Sequence, residues 1–222
     1  MKNLTLVIPA KKESESLPTF LDEIIQLNVN ILVVLHKDDH ETINSIKNYH
    51  SVEILFQKNK GFGSAIIEGI NQSKTEYSCI MCADGSMDPK YLNHMLEICY
   101  DKDLIFSSRY EKPGGGSDDD NFITFFGNKM FSFLGNVIFN LKISDILYTY
   151  ILGKTKSFQK LELKYHDFRL CVELPINAKR LGLSYSTIAS YERPRIAGKK
   201  KVNWFIDGCT ILLGMLSFIF KK

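Results

Sequence analysis

Short apolar runs alternate with helical patterns through the first hundred residues. Five apolar runs have the length of a buried strand, and they are Leu4–Pro9, Asn30–Leu35, 52–57, 77–84 and 103–110. Four segments between them carry apolar residues at helical spacing, and they are 15–27, 41–49, 63–73 and 89–100. Strands that alternate with helices predict an α/β fold with a mostly parallel central sheet and helices on both faces.

Polar and glycine residues collect where the predicted strands end. Ligands of parallel α/β sheets bind beyond the carboxyl ends of the strands. Because those ends meet at one edge of the sheet, we expect the candidate ligand-binding residues to lie near one another. The residues at this edge are 9–13, 35–39, 59–63, Asp84 and Arg109.

The pattern changes after Tyr110. Residues 111–121, EKPGGGSDDDN, include no apolar residue to bury and predict a flexible acidic loop. The next segment, about 122–140, is predicted to be a helix that is almost entirely apolar apart from one narrow polar stripe. The stripe consists of Thr124, Asn128, Ser132, Asn136 and Asn140.

The C-terminal segment, 201–222, repeats this arrangement. Its polar positions recur at intervals of three or four, and they are Asn203, Asp207, Thr210, Gly214, Ser217 and Lys221. Such helices are too apolar to face water, and this one is too short for a span of about 20 apolar residues. Lysines at both ends favour a membrane interface, where anionic headgroups attract cations. The alternative is that both helices pack against each other in the core.

Composition narrows the function classes. A chain of 222 residues can form one large domain, which we place at 1–200, followed by a membrane-interface helix at 201–222. Hydrophobic and charged contents of 45% and 24% are typical of a folded protein. A net charge of +3 is too mild to indicate nucleic acid, and the positive residues cluster beside an apolar helix, so no nucleic-acid partner is expected.

The N-terminus and the cysteines indicate the compartment. Met1 runs directly into a predicted strand, so we expect no secretory signal. Five irregularly spaced cysteines fit a reducing cytosolic setting better than a disulfide framework. Cys79 and Cys82 spell C-x-x-C, but this offset points side chains to opposite faces of a strand, which favours a structural role over a shared metal.

Three of these residues at strand ends could carry chemistry. Gly61 and Gly63 open a helix directly after a strand, where backbone N–H groups can approach a phosphate, although any tight turn uses glycine. Asp84 either caps the turn that follows it or holds a divalent cation against a diphosphate. The residues alone leave both roles open.

Two charged segments add further candidates. The first, YERPRIAGKKK, contains a proline and a glycine that suggest a shaped loop, and arginine side chains in such a loop suit phosphate oxygens. The alternative is a solvated basic patch. The basic residues of this segment are Arg193, Arg195, Lys199, Lys200 and Lys201. The segment HKDDH, 36–40, has a metal-like composition, but a loop after a strand is more often plain surface.

Five motifs together resemble those of family 2 glycosyltransferases in order and spacing. They are LVIPAKKESESLP, NKGFGSAIIEGI, IMCADGSMDP, FSSRY and YERPRIAGKKKV. The likeness covers nearly the whole chain and is greatest to the branch of dolichyl-phosphate mannose synthases and bacterial polyprenyl-phosphate glycosyltransferases. It implies the GT-A nucleotide-sugar-binding fold, with membrane-interface helices after the nucleotide domain.

The resemblance implies roles for individual residues. It makes Asp84, Glu173 and Arg195 catalytic and makes Asp84 the ligand of Mg²⁺ or Mn²⁺. Phosphates would be bound by Arg195, Lys199 and Lys201. The other residues implied to bind a UDP- or GDP-linked donor are Pro9, Ala10, Lys12, Glu13, His36, Asn59, Gly61, Gly63, Ala83 and Arg109.

The chain departs from the family pattern at four places, one of which is Lys200, where the family has the serine before the final lysine of its late loop. The acids used for base recognition are replaced by Leu35 and His36, and the first acid of the metal motif is Cys82. Lys11 and Lys12 replace the usual Tyr-Asn, and their charge could partly replace that of a cation. These changes keep open an alternative, a non-catalytic relative that binds a membrane or a partner enzyme.

The leading hypothesis is an inverting glycosyltransferase at the cytoplasmic face of the membrane. It would move a sugar from a nucleoside diphosphate to a lipid-linked acceptor such as polyprenyl phosphate, for a cell-envelope polysaccharide. An ionised phosphate acceptor needs little general-base help, whereas a hydroxyl acceptor would make Glu173 the candidate base. A homo-oligomer is left open.

Overall fold

The computed structural model describes residues 1–220, which form an α/β fold around a seven-stranded sheet. The strands are β1 (Leu4–Pro9), β2 (Asn30–Leu35), β3 (Val52–Phe56), β4 (Tyr77–Ile80), β5 (Leu104–Ser108), β6 (Gly116–Ser117), β7 (Ile151–Lys154), β8 (Tyr185–Ala189) and β9 (Tyr191–Glu192). The α-helices are α1 (Leu17–Ile24), α2 (His40–Ile46), α3 (Phe62–Gln72), α4 (Leu92–Cys99), α5 (Phe122–Phe139), α6 (Thr155–Lys160), α7 (Leu170–Arg180) and α8 (Ile206–Phe220).

The sheet has the order β3-β2-β1-β4-β7-β5-β8 and is parallel except for β7. Strand residues alternate between two apolar cores, so that Leu6 and Ile8 face α1, α2 and α4, whereas Val7 faces α3 and α7. Fully buried strands between two helical layers explain the continuous apolar runs of the sequence. The predicted fold class is confirmed.

The antiparallel strand β7 was not predicted. It lies between β4 and β5 and pairs with both, with Leu152 opposite Cys79 on one side and opposite Ile105 on the other. At four residues it is too short to give a periodic signal of its own. The fourth predicted strand, 77–84, is correspondingly shorter than expected, because β4 ends at Ile80 and the chain then turns toward Asp84.

The acidic loop 111–121 is ordered, which corrects the prediction of a flexible segment. Within it, β6 pairs in parallel with β9, with Gly116 opposite Tyr191 and Ser117 opposite Glu192. The three aspartates that follow β6 accept hydrogen bonds from side chains of three different parts of the chain. Polar contacts hold this loop in place, and a search for apolar residues could not reveal them.

The polar stripe of α5 faces the protein and its apolar residues face outward. Asn136 exchanges two hydrogen bonds with the backbone of Ile143, and the Ser132 hydroxyl accepts the N–H of Ile146. The side chains on the opposite side of the helix are between 64% and 84% exposed, and they are Phe122, Phe126, Phe133 and Val137. This is the reverse of a helix that faces water.

Helix α8 packs against α7 and α5 and also leaves apolar residues exposed. Ile211, Met215 and Phe218 are buried in the same core as α7, so the alternative of packing in the core holds for one side of this helix. The exposed side includes Leu213 and Ile219. Helix α5 is long and apolar enough to cross a membrane, whereas α8 is shorter. Lys221 and Lys222, which the sequence places at the end of α8, lie outside the described residues.

Candidate active site

Glu13 lies just beyond the carboxyl end of β1, at the sheet edge that was predicted to bind ligands. The backbone reaches it through Lys12, which has a left-handed φ of 53° and donates its N–H to the Asp39 carboxylate at 2.6 Å. The Glu13 side chain is buried, accepts the Ser16 hydroxyl at 2.7 Å and forms an ion pair with Lys201. Glu13 is therefore held at the edge with one oxygen directed to a cation.

Asp84 lies at the same edge, four residues after β4, and is buried. One carboxylate oxygen accepts the N–H of Ser86 at 3.1 Å and its hydroxyl at 2.8 Å. These bonds cap the turn at Gly85, whose φ of 74° suits glycine. The other carboxylate oxygen accepts from Arg195 Nη1 at 2.7 Å. Asp84 thus caps its turn and presents its second oxygen to a cation at the same time.

A segment of residues 193–201, which we call the basic strap, runs across this edge. Arg193 donates to the carbonyl oxygen of Gly85 and pairs with Glu23, and the Ile196 N–H donates to the carbonyl oxygen of Asp84 at 2.9 Å. Farther along, Lys201 reaches Glu13. The strap therefore contacts both Glu13 and Asp84, whereas Lys199 within it is exposed.

Arg195 is shared between two carboxylates. Its Nη1 donates to Asp84, and its Nε and Nη2 donate to Asp119 in the acidic loop at 3.3 and 3.1 Å. Burial alone would lower the pKa of Arg195, but the hydrogen bond to Asp119 and the charge of Asp84 raise it above its ordinary value. The guanidinium is therefore a fixed positive charge at the end of β4.

Cys82 occupies the position of the first acid of the metal motif. It is half-buried, and its N–H lies 3.3 Å from the Met87 sulfur. Burial, and then the Asp84 carboxylate, raise the pKa of the Cys82 thiol well above its ordinary value, which keeps the thiol neutral. Cys82 therefore adds no negative charge to that of Asp84. Separately, the buried hydroxyl of Tyr148 has no hydrogen-bond partner among the described residues.

Gly61 and Gly63 are required by packing against a distant loop. A Cβ atom at Gly63 would lie 2.8 Å from the carbonyl oxygen of Asp167, and a Cβ atom at Gly61 would collide with the carbonyl oxygen of His166. The first turn of α3 is joined to this loop by Ser64, whose N–H donates to His166 O at 3.2 Å and whose hydroxyl lies 2.6 Å from His166 Nδ1. The phosphate contact inferred for these glycines stays a prediction.

Glu173 binds the backbone of the same loop. It is 3% exposed, in the first turn of α7, and its carboxylate accepts the backbone N–H groups of Lys164 and Tyr165 at 2.9 to 3.0 Å. A carboxylate with these partners orients the 164–167 loop and is poorly placed to accept a proton from a substrate. The structure thus assigns Glu173 a positioning role, and its catalytic role stays a prediction.

Arg109 serves the fold where donor binding was expected. Its guanidinium is buried and donates to Asp145 at 2.7 and 3.0 Å and to Glu192 at 3.1 Å. It also lies over the ring of Tyr148, 4.6 Å from the centroid. All of these contacts join the end of β5 to interior segments of the chain, so Arg109 has a structural role, and the donor contact expected of it stays a prediction.

The other predicted residues lie at the same edge in varied settings. His36 directs Nδ1 to Asp38 at 3.1 Å, and the N–H of Asn59 donates to Glu68 at 3.1 Å. Lys12, Asn59 and Lys199 are exposed, whereas Ala10 and Ala83 are buried and Pro9 is intermediate. The segment 36–40 supplies the cap of α2, because Asp39 accepts the N–H of Thr42.

Asp84 could hold a divalent cation only with help from a ligand. Among residues 1–220, no three side chains of His, Cys, Asp or Glu are grouped to bind a metal ion. Mg²⁺ commonly uses one or two carboxylates and takes its remaining ligands from water and phosphate. The single outward oxygen of Asp84 fits that pattern, provided that a diphosphate is present and Arg195 gives way.

A comparison with known families identifies the chain. Residues 5–162 match the family described as Glycosyl transferase family 2. The chain belongs to glycosyl transferase family 2. Its GT-A fold and its classification as a family 2 glycosyltransferase agree with the resemblance noted above, at the level of the family.

Two relatives have similar length. Uncharacterised glycosyltransferases of Mycobacterium tuberculosis and Mycobacterium bovis are each 26% identical to this family 2 glycosyltransferase over 213 residues, which is 95% of this chain and 94% of theirs. The likeness is spread over the whole chain and includes the segment after residue 162.

Solved structures share the fold. Crystal structures of glucosyl-3-phosphoglycerate synthase from M. tuberculosis align with TM-scores of 0.75 and 0.73, at 12% and 14% identity, over 97% of this chain and 79% of theirs. The first contains Mn²⁺, UDP and glucosyl-3-phosphoglycerate, and the second contains Mn²⁺, UDP-glucose and phosphoglyceric acid. At this identity the likeness establishes the fold of this glycosyltransferase.

Sequence reasoning missed the residues that complete the site from other loops. Asp119 binds Arg195, Ser86 binds Asp84, and His166 packs on the first turn of α3. The three aspartates at 118–120 are visible in the sequence, but the composition of the segment predicts flexibility and does not indicate their partners. The partners of Asp119 lie 76 and 81 residues away in sequence, so no local pattern connects them.

Proposed function

We propose that this family 2 glycosyltransferase transfers a sugar, with inversion, from a nucleoside-diphosphate donor to a lipid-linked phosphate at a membrane surface. The observation that carries the proposal is the ion pair between Asp84 and Arg195 at the end of β4. An acid that can bind a cation and a guanidinium that can bind phosphate meet there, at the edge where α/β sheets bind nucleotides.

The basic strap would bind the donor's diphosphate. Arg195 and Lys201 now neutralise Asp84 and Glu13, and both cations can turn to phosphate oxygens when a donor enters. Lys12, at the left-handed bend after β1, adds a further exposed positive charge beside Glu13. Asp84 would hold Mg²⁺ or Mn²⁺, which supplies positive charge to the departing diphosphate.

The acceptor side favours a group that is already ionised. Glu173, the candidate base, uses its carboxylate to hold the backbone of Lys164 and Tyr165. A phosphate acceptor attacks without losing a proton to the protein, whereas a hydroxyl acceptor requires a base. We therefore favour a phosphate as the attacking group.

The apolar faces of α5 and α8 support a lipid as the carrier of that phosphate. Their outward residues include Phe126 at 64%, Phe133 at 65% and Leu213 at 68% exposure. Exposed apolar area of this extent marks a membrane or protein contact. The exposed residues Trp204 and Phe205 follow the strap after Val202 and Asn203, which brings the donor edge close in sequence to this surface. Polyprenyl phosphate at the cytoplasmic face of the membrane fits these features.

A transfer assay tests the proposal. Full-length protein in detergent is mixed with labelled UDP- or GDP-linked hexoses, Mg²⁺ or Mn²⁺, and either polyprenyl phosphate or 3-phosphoglycerate. We expect transfer to the lipid, and a kcat about 100-fold lower for Asp84→Asn. Asp101→Asn, in an exposed turn before β5, is the matched control and should retain full activity.

Each outcome of this assay has a defined meaning. Transfer to 3-phosphoglycerate alone would contradict the lipid acceptor and retain a glycosyltransferase with a soluble phosphorylated acceptor. No transfer from any donor, with either metal and either acceptor, would contradict the proposed activity as a whole.

A further inference from the structure

Three successive aspartates of the acidic loop bind three different parts of the chain. Asp118 accepts the hydroxyl of Tyr191 in β9 at 2.6 Å. Asp120 accepts the hydroxyl of Tyr110, which follows β5. Asp119, between them, faces the basic strap and binds Arg195 there. The acidic loop thus connects the basic strap to β9 and to the segment that follows β5.

Asp119 and Asp84 divide one guanidinium between them. Arg195 donates one N–H to Asp84 at 2.7 Å and two toward Asp119, of which the shorter contact is 3.1 Å. The side chains of Asp84, Asp119 and Arg195 are 7%, 18% and 24% exposed, so solvent screens these contacts only in part. Lys200 also pairs with Asp119, at 3.1 Å.

Asp119 is anchored independently of Asp84. Its backbone N–H, like that of Asp120, donates to the Ser117 hydroxyl oxygen at 3.1 Å. That hydroxyl in turn donates to Glu192 at 2.5 Å, and Glu192 accepts from the buried Arg109. A chain of hydrogen bonds therefore fixes Asp119 to the interior ion pair, and its position does not depend on what Asp84 binds.

We propose that Asp119 is a positioning residue that retains Arg195 at the donor edge when a divalent cation takes over Asp84. This inference rests on the proposed function. Arg195 cannot stay on the same carboxylate oxygen as a divalent cation, because the two positive charges repel each other. With Asp119 as its second partner, Arg195 releases Asp84 without leaving the site and directs its free N–H groups to the diphosphate.

Removal of Asp119 should shift the balance between arginine and metal at Asp84. Of the two carboxylates that bind Arg195 in the described structure, only Asp84 is left when Asp119 is removed. The Asp84–Arg195 ion pair is then stronger, and the metal ion has to displace it. Loss of one partner in such a shared network typically changes a binding constant by about tenfold. The expected signature is a higher metal requirement for nucleotide binding, and a purely structural role for Asp119 would not produce it.

Calorimetry of UDP and GDP binding across a series of Mn²⁺ concentrations tests this. For Asp119→Asn we expect the half-saturating Mn²⁺ concentration to rise about tenfold. Asp119→Glu, which keeps the carboxylate, should restore most of the wild-type value. Asp118→Asn is the matched control, because the carboxylate of Asp118 lies next to Asp119 in sequence but binds Tyr191 and not the strap. This variant should bind nucleotide with the Mn²⁺ dependence of wild type.

A second variant separates positioning from loss of folding. In an Arg195→Lys background the shared fork is absent, so adding Asp119→Asn should leave the Mn²⁺ dependence unchanged. The inference is overturned if Asp119→Asn requires no more Mn²⁺ than wild type, or if its effect persists in full without Arg195. If wild type binds neither nucleotide at any Mn²⁺ concentration, the proposed function fails and the inference fails with it.

Discussion

The guanidinium of Arg109 lies among carboxylates in the interior of the protein. It pairs with Asp145, which is fully buried, and with Glu192, and Asp120 lies 3.6 Å away. These acids come from the segment before β7, from β9 and from the acidic loop. One side chain therefore joins the sheet to the loop that carries Asp119.

We predict that Arg109→Ala lowers the free energy of unfolding by about 3 to 5 kcal/mol, because it leaves buried carboxylates without their counter-charge. Denaturant unfolding monitored by circular dichroism measures the loss. Lys90→Ala is the matched control: Lys90 pairs with Asp88 at 2.8 Å but is 60% exposed, and its loss should change stability by less than about 1 kcal/mol. Equal effects of the two variants would contradict the structural role of Arg109.

Glu192 gives a pH dependence of known sign. Burial raises its pKa above the ordinary value of 4.5, and the charge of Arg109 opposes this only in part. Because the folded state binds this proton more tightly than the unfolded state, Glu192 stabilises the fold below pH 4.5 and that contribution is lost as the pH rises through the raised pKa. We expect the stability of wild type to fall relative to Glu192→Gln over that range. Denaturant unfolding of both proteins in a pH series measures it, and a constant difference would contradict the prediction.

At the scale of elements, the first turn of α3 is defined by the loop 164–167. We predict that Gly63→Ala lowers the free energy of unfolding by about 1 to 3 kcal/mol, because its methyl group would force the carbonyl oxygens of Tyr165 and Asp167 away. Thermal and denaturant unfolding measure the change. Gly127→Ala in α5 is the control, because its added Cβ meets no atom within 4 Å and should be neutral or stabilise by up to about 1 kcal/mol. A neutral Gly63→Ala would mean that the loop moves freely.

The sequence predicts the features that depend on neighbouring residues and does not reveal contacts between distant ones. The alternation of strands and helices depends on neighbouring residues, so the parallel sheet and its ligand edge could be predicted. The partner of Gly63 lies about one hundred residues later, and that of Arg195 is in an acidic loop, so neither leaves a local signal. For the same reason Arg109 could be placed at a strand end, but its buried partners could not be identified.

On the scale of the whole molecule, α5 and α8 both expose apolar side chains, and α5 uses its polar side chains to bind the protein. We predict that the double variant Phe126→Asp and Phe133→Asp loses binding to anionic phospholipid vesicles, because each charge would have to enter the apolar layer. Co-flotation with vesicles measures it. Both phenylalanines are exposed, at 64% and 65%, so unfolding midpoints should stay near those of wild type.

The matched control for this surface is Phe56→Asp. Phe56 is 50% exposed in β3, at the far edge of the sheet, and is not part of either helix. This variant should float with vesicles as wild type does. Flotation of the double variant at the wild-type level would contradict membrane contact through α5, and failure of wild type to float would contradict it for the protein as a whole.

The outward apolar side of α5 also has a consequence for handling the protein in solution. In buffer without amphiphile, water must cover Phe122, Phe126 and Val137, and the hydrophobic effect then favours contact with another copy of the same face. We therefore expect the apparent molecular mass to increase with protein concentration and to return to that of a single chain when detergent micelles are added. Reversal by detergent would mean that association in plain buffer comes from this exposed apolar face and does not by itself report a native assembly.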